Sequence, residues 1–200
     1  MDSNLPNNWR LSNVGEFCSY YKGGVPFLKL EYSSSGIPVI AKGDIKPFGK
    51  CEHGNKRFIS EKVVEEKKLY LTQPGDLIMT SRDLTMEGDV LGLVAPVPRD
   101  QKYLVNQGVN IIRLSSNINQ RFFVYWTNSP MFRNCMKQSA VGSTQIHIRK
   151  DDFLNAPIIV PPLKEQDIIA QLLGNLDDKI ENLRKQNQTL EKIAQTLFKH

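Results

Sequence analysis

The sequence predicts an α/β fold of the α+β type, with a globular domain over residues 1–160 and a long C-terminal coiled-coil helix over residues 161–200. Three observations carry that prediction. Ile169, Leu173, Leu176, Ile180, Leu183, Asn187, Leu190, Ala194 and Leu197 recur alternately four and three residues apart, which is a heptad seam. Upstream, short apolar runs rich in Val, Ile and Leu alternate with turns containing Gly and Pro, the pattern of strands about five residues long. Between residues 118 and 139 the aromatic and Met positions recur at helical spacing. A chain of 200 residues with 40% hydrophobic and 24% charged residues has globular composition and can bury a core.

In chain order, residues 36–41 read as a strand, and Ser60 caps a short helix running from Glu61 to Leu69. Gln73, Pro74, Gly75 and Asp76 read as a tight turn, because proline presets φ and glycine supplies the positive φ that follows. That turn feeds a strand over residues 77–81, and residues 90–94 and 110–114 are further strands. Phe122, Phe123, Tyr125 and Trp126, then Met131, Phe132 and Met136, belong to two successive helices interrupted at Pro130, with their aromatics in the core. Residues 145–148 alternate like a strand, and residues 156–160 form a last buried one.

Pro161 and Pro162 mark the start of the long helix, since proline is tolerated in a first turn and blocks extension backwards. Running from about residue 163 to 199, it would be about 54 Å long at 1.5 Å per residue. Gly174 is its weak point and permits a bend. A helix of that length outruns the domain before it, so most of the seam must meet another helix. Asn187 at an a position fixes register and partner at a cost in stability.

Charge is unevenly placed. The net +5 sits entirely in residues 1–160, with 20 Lys and Arg against 15 Asp and Glu, whereas residues 161–200 hold six of each. A basic excess confined to the domain fits a polyanion as partner. No stretch approaches the roughly 18 apolar residues of a membrane span, and the first residues lack the basic and apolar regions of a secretory signal. Cys18, Cys51 and Cys135 are an odd number, which disfavours a disulfide framework. The expected location is the cytoplasm, with no membrane partner.

The catalytic motifs are missing. There is no glycine-rich dinucleotide or phosphate loop, no nucleophile elbow, and no pair of histidines at metal spacing among His53, His147 and His200. Cys51 and His53 are a close potential ligand pair, but zinc needs four ligands and the others would have to be Cys135 and His147, so no metal site is expected. Asp44 with Glu65, Glu66 and Lys67 mimics the acidic core of a Mg²⁺-dependent nuclease, although any charged helix yields such a triplet. A methyltransferase would need a cofactor loop and an Asn/Asp-Pro-Pro-aromatic motif, and neither is present.

What remains are loops bearing groups that suit phosphates and base edges. Lys22-Gly23-Gly24, Lys42-Gly43-Asp44, residues 81–85 and Gly142-Ser143-Thr144-Gln145 each flank a predicted strand. Arg82 and Gln145 are the expected readers of base edges, and Lys22, Lys42, Ser143 and Thr144 the expected contacts to the DNA backbone. Three classes stay open on these residues: a DNA reader without chemistry of its own, a Mg²⁺-dependent nuclease, and a coiled-coil interaction module with a non-nucleic ligand.

The order of these features resembles a known family. Trp9-Arg10-Leu11-Ser12-Asn13-Val14-Gly15-Glu16, then Gly23-Gly24-Val25-Pro26, Gly36-Ile37-Pro38-Val39-Ile40 and Gly75-Asp76-Leu77-Ile78 are similar to the target recognition domain of specificity subunits of type I restriction-modification systems. Gly142-Ser143-Thr144-Gln145 and Pro161-Pro162-Leu163-Lys164-Glu165-Gln166, leading into the heptads, look like the segment joining such a domain to its long helix. The resemblance implies a non-catalytic subunit that binds double-stranded DNA and directs adenine methylation and cleavage by partners. Those partners are methyltransferase subunits and, through them, a restriction/translocase subunit. S-adenosylmethionine, ATP and Mg²⁺ are expected on the partners and no cofactor on this chain. Family members usually hold two recognition domains and two antiparallel helices, whereas this sequence holds one unit, as a fragment or a half-subunit would. A half-subunit is expected to form a homodimer through Leu173, Leu176, Ile180, Leu183, Asn187, Leu190 and Leu197.

Overall fold

The computed structural model describes residues 5–52, 57–99 and 101–198, so His53 and His200 lie outside it. In chain order the strands are β1 (Arg10–Asn13), β2 (Cys18–Gly23), β3 (Tyr32–Ser33), β4 (Ile37–Ile40), β5 (Ile45–Lys46), β6 (Lys50–Cys51), β7 (Phe58–Ile59), β8 (Leu77–Thr80), β9 (Arg82–Asp83), β10 (Val94–Pro96), β11 (Leu104–Val105), β12 (Val109–Leu114), β13 (Ile146–His147) and β14 (Pro157–Val160). The helices are α1 (Glu61–Glu66), α2 (Gln120–Thr127), α3 (Pro130–Gln138), α4 (Lys150–Leu154) and α5 (Leu163–Leu197).

The central sheet runs β10-β8-β12-β2, antiparallel throughout. Its central strand β8 is buried along its whole length because both of its faces are covered. Leu77, Met79 and Ile112 face one core with Phe122, Phe123, Phe132, Met136 and Phe153. Ile78, Val109 and Ile111 face a second core with Ile40, Ile45, Tyr103 and Val105. A smaller sheet, β11-β4-β7-β3, with β11 and β4 parallel, holds a third cluster around Val39, Ile59 and Leu104. Across the central sheet, the Arg113 guanidinium grips the Asp76 carboxylate through Nε to Oδ1 at 2.5 Å and Nη2 to Oδ2 at 3.0 Å. The predicted turn is present before β8, with Gly75 at φ 89° and the Asp76 N–H donating to the Gln73 carbonyl at 3.0 Å.

The two predicted helices around Pro130 are α2 and α3. Asn119 caps the first by accepting from Phe122 N at 2.9 Å, and Ser129 caps the second, whose first residue is Pro130. Two local expectations fail. Residues 90–92 form a turn instead of the start of a strand: the Gly92 N–H donates to the Thr80 carbonyl at 2.7 Å, and β10 begins only at Val94. The run is apolar because Leu91 and Leu93 are buried, and burial without alternation does not distinguish strand from turn. The helix after Ser60 stops at Glu66 rather than Leu69, and no side-chain bond from Ser60 caps it.

The long helix α5 is continuous from Leu163 to Leu197, about 52 Å at 1.5 Å per residue. Gly174 is explained by clearance, since a Cβ there would lie 2.2 Å from Arg121 Cζ. Its docked face is polar as well as small. Gln166 and Ala170 are buried, the Tyr125 hydroxyl donates to Asp177 Oδ2 at 2.6 Å, and Lys50 pairs with Glu181 at 2.8 Å. The apolar seam lies on another side. Leu173 is half-buried beside Gly174, while Leu176, Ile180, Leu183, Leu190 and Leu197 are 46–71% exposed and Asn187 is exposed with them.

Candidate nucleic-acid interface

The topology gathers several loops at one rim of the central sheet. Val109, at the start of β12, pairs with Thr80 at the end of β8, and Asn110 pairs with Gly23 at the end of β2. The parallel pair β11–β4 ends beside them: Asn106 N donates to the Ile40 carbonyl at 2.9 Å, and Val25 bridges to Asn106. The segments that follow β2, β4 and β8 and the one that precedes β12 therefore emerge together.

β9 and β13 bring two distant segments onto this rim by pairing Arg82 with His147 and Asp83 with Ile146. The Arg82 stem passes over Gly108, where a Cβ would stand 3.4 Å from Arg82 Cβ. Gly142, at φ 125°, closes the turn before β13 so tightly that a Cβ would meet the Gln145 carbonyl at 2.1 Å, which only glycine avoids. The turn leaves Ser143, Thr144 and Gln145 exposed, and it leads into exposed His147, which stands opposite exposed Arg82. Lys42 follows β4 on the same rim and is half-buried. Lys22 is set apart, its ammonium 5.0 Å from the centroid of the Tyr70 ring. Gln107, which sequence reading did not single out, is also exposed on this rim, before Gly108, and its N–H donates to the Val25 carbonyl at 3.1 Å. A lone glutamine in a short loop carries no sequence signal that separates it from any other turn residue.

The loop after β9 is held from within. Asp83 is buried, and its carboxylate accepts from Val90 N at 3.0 Å and from Thr85 N at 3.1 Å. Burial opposes its ionisation, but the N–H groups of Val90, Thr85 and Leu84 outweigh burial and hold the carboxyl below its ordinary range. From α3, the Arg133 guanidinium donates to the carbonyls of Leu91, Gly88 (3.3 Å) and Asp89 (2.6 Å). Burial pushes the Arg133 pKa down, with Asp89 and Asp83 opposing that shift. The loop rests on β13 as well, since a Cβ on Gly88 would lie 3.0 Å from Ile146 Cδ1.

The acidic triplet does not assemble. Asp44 is buried and accepts from Ala41 N at 2.9 Å, Glu65 pairs with Lys68, and Lys67 reaches Glu31 at 2.5 Å while lying over Phe27. Among the described residues no three His, Cys, Asp or Glu side chains gather to hold a metal ion. A cleft of about 520 Å³ lies elsewhere, between the β5–β6 hairpin, α2 and α5, and contains none of the sequence-predicted DNA contacts. Among the described residues no helix is long and apolar enough to cross a membrane.

Residues 6–192 match the family described as the type I restriction modification DNA specificity domain. The chain is 29% identical over 98% of its length to the MjaIX type I restriction enzyme specificity subunit of Methanocaldococcus jannaschii, covering 44% of that protein. It is 22% identical over 94% of its length to the EcoKI specificity subunit of Escherichia coli, covering 40% of that protein. The chain thus spans less than half the length of these relatives. Among solved structures it superposes on the HsdS subunit from Thermoanaerobacter tengcongensis with a TM-score of 0.64 at 19% identity, over 92% of this chain and 41% of that one. A chain from a type I restriction-modification assembly gives a TM-score of 0.67 at 20% identity, over 94% of this chain and 43% of that one.

Proposed function

Because the chain belongs to the family of type I restriction-modification DNA specificity domains, we propose that it selects the duplex sequence on which partner subunits act, and performs no chemistry itself. The observation that supports this reading is the rim on which β9–β13 pairing sets Arg82 opposite His147, with the exposed turn of Ser143, Thr144 and Gln145 leading into that strand, on the part of the chain that holds the whole basic excess. Arg82 and Gln145 read base edges, and Lys42, Ser143 and Thr144 contact the phosphate backbone, with Lys22 released from Tyr70 to join them. The partners are methyltransferase subunits and, through them, a restriction/translocase subunit, in the cytoplasm. S-adenosylmethionine, ATP and Mg²⁺ act on those partners. The nuclease reading is not favoured, since Asp44, Glu65 and Lys67 point to separate partners within the domain.

The free stripe of α5 pairs with the same stripe of a second copy in antiparallel fashion, related by a two-fold axis. A helix of about 52 Å then separates the two recognition domains by more than the roughly 34 Å turn of B-DNA, which suits a bipartite site with inverted halves. Exposed Ile193 and Phe198 widen the apolar surface near the end of the helix, where a methyltransferase subunit docks.

The test is fluorescence anisotropy with a labelled pool of duplexes. Lys22 and Lys42 on phosphates correspond to about a tenfold loss of affinity between 50 and 200 mM salt. Replacing Lys22, Lys42, Arg82, Ser143, Thr144 and Gln145 together by alanine is expected to weaken binding about a hundredfold or more, with the circular dichroism spectrum unchanged. Binding indifferent to salt, or an unaltered affinity in the sixfold variant, contradicts the proposal.

A further inference from the structure

Two large apolar side chains stand exposed inside this otherwise polar rim. Leu84 and Met86 are each 59% exposed, on the loop that begins at Arg82. Along β9 and beyond, Arg82 and Leu84 are exposed while the intervening Asp83 is buried, so the arginine and the leucine share the outward side. The loop does not collapse to hide them, because Asp83 ties its start to Val90 and Arg133 pins the carbonyls of Gly88, Asp89 and Leu91. The side chains are therefore presented on a stiff support next to Arg82 and the Ser143–Gln145 turn, and little loop ordering is left to oppose binding.

We infer that Leu84 and Met86 read the C5-methyl group of a thymine in the recognised duplex, an inference that rests on the DNA-recognition reading above. A leucine or methionine side chain offers no hydrogen-bond donor and at most a weak acceptor, so neither distinguishes the polar patterns of the base edges. The apolar landmark of the major groove is the thymine methyl. The extent of the patch points the same way. Two side chains match a methyl group, whereas a stable protein partner buries about 800 Å² on each side. The polar groups beside them, Arg82 and Gln145, are suited to the base edges of the same groove.

The experiment starts from duplexes with a randomised centre that the full chain retains, and replaces each fixed thymine of the enriched sequence singly by deoxyuridine, which deletes only the methyl. At one thymine the parent chain is expected to lose about fourfold in affinity, the worth of one buried methyl. In the Leu84→Ser, Met86→Ser double variant that loss is expected to disappear, while thermal unfolding stays that of the parent because both residues are exposed. Enriched sequences without a fixed thymine, deoxyuridine tolerated at every position, or a variant that keeps the parent's discrimination would each overturn the inference and leave DNA recognition standing. A variant weakened equally on thymine and uracil duplexes also overturns it. A variant unchanged on DNA but weakened towards a methyltransferase subunit assigns the patch to a protein partner. Failure of the chain to retain any duplex overturns the recognition reading itself.

Discussion

Gln166→Leu is expected to lower the unfolding free energy by about 3 kcal/mol and the melting temperature by about 10 °C. Gln166 is 1% exposed, at the point where the long helix starts. Its Oε1 accepts from Asn119 N at 2.8 Å and its Nε2 donates to the Pro161 carbonyl at 2.8 Å. Asn119 is in turn the cap of α2 and donates from Nδ2 to Asp167 at 2.7 Å. Leucine fills about the same volume but leaves the part-buried Asn119 N–H and the buried Pro161 carbonyl without this partner, at about 1–3 kcal/mol each. Gln166→Glu keeps the acceptor for Asn119 but sets a buried carboxylate against the Pro161 carbonyl, so at neutral pH it should be at least as destabilising as leucine. Thermal and urea unfolding of the three proteins check the order. A leucine variant as stable as the parent would mean that this junction does not fix how the helix meets the domain.

Leu183→Glu is expected to abolish self-association, weakening it about a hundredfold or more, because a carboxylate would be buried without a partner in the helix pair, at about 3–5 kcal/mol. Leu183 is half-exposed in the single chain and lies beyond the docked part of α5, so the substitution leaves the domain intact. Lys185→Glu, at an outer position of the heptad, should change association by less than about threefold. Sedimentation equilibrium of the three proteins at tens of micromolar gives the answer. A parent chain that is monomeric there excludes self-pairing, and the stripe then belongs to a different helix.

The seam on α5 was legible because nine consecutive heptad positions leave no other reading of the period. Its docked face was not. Gln166, Gly174, Asp177 and Glu181 look like surface residues in a sequence, and only the fold sets them against Asn119, Arg121, Tyr125 and Lys50. The Pro161–Gln166 segment was recognisable as a pattern. The structure gives its physical content: Glu165 accepts from Trp9 Nε1 at 2.7 Å across 156 residues of sequence, and Gln166 joins α5 to the cap of α2. Arg82 and the Gly142–Gln145 turn lie about 60 residues apart in the sequence, on loops whose chemistry alone suggests a role. That they come to one rim follows from β9–β13 pairing, which two-residue strands do not announce. Residues 90–92 misled for the opposite reason, since an apolar run records burial and not backbone direction.

Sequence-specific recognition of duplex DNA by the rim around Arg82 is checked by selection from a randomised duplex pool. The full chain is incubated with the pool at moderate salt, the retained duplexes are sequenced over several rounds, and the chain with Arg82→Ala and Gln145→Ala is carried in parallel. The parent is expected to enrich a defined sequence, in two inverted halves separated by a fixed spacer if the chain pairs through α5. The variant is expected to show relaxed preference at one or two positions of each half, about 1–3 kcal/mol of discrimination for each lost base contact. A retained pool no different in sequence from the starting pool, or a variant that enriches the same sequence as sharply as the parent, contradicts recognition by this rim.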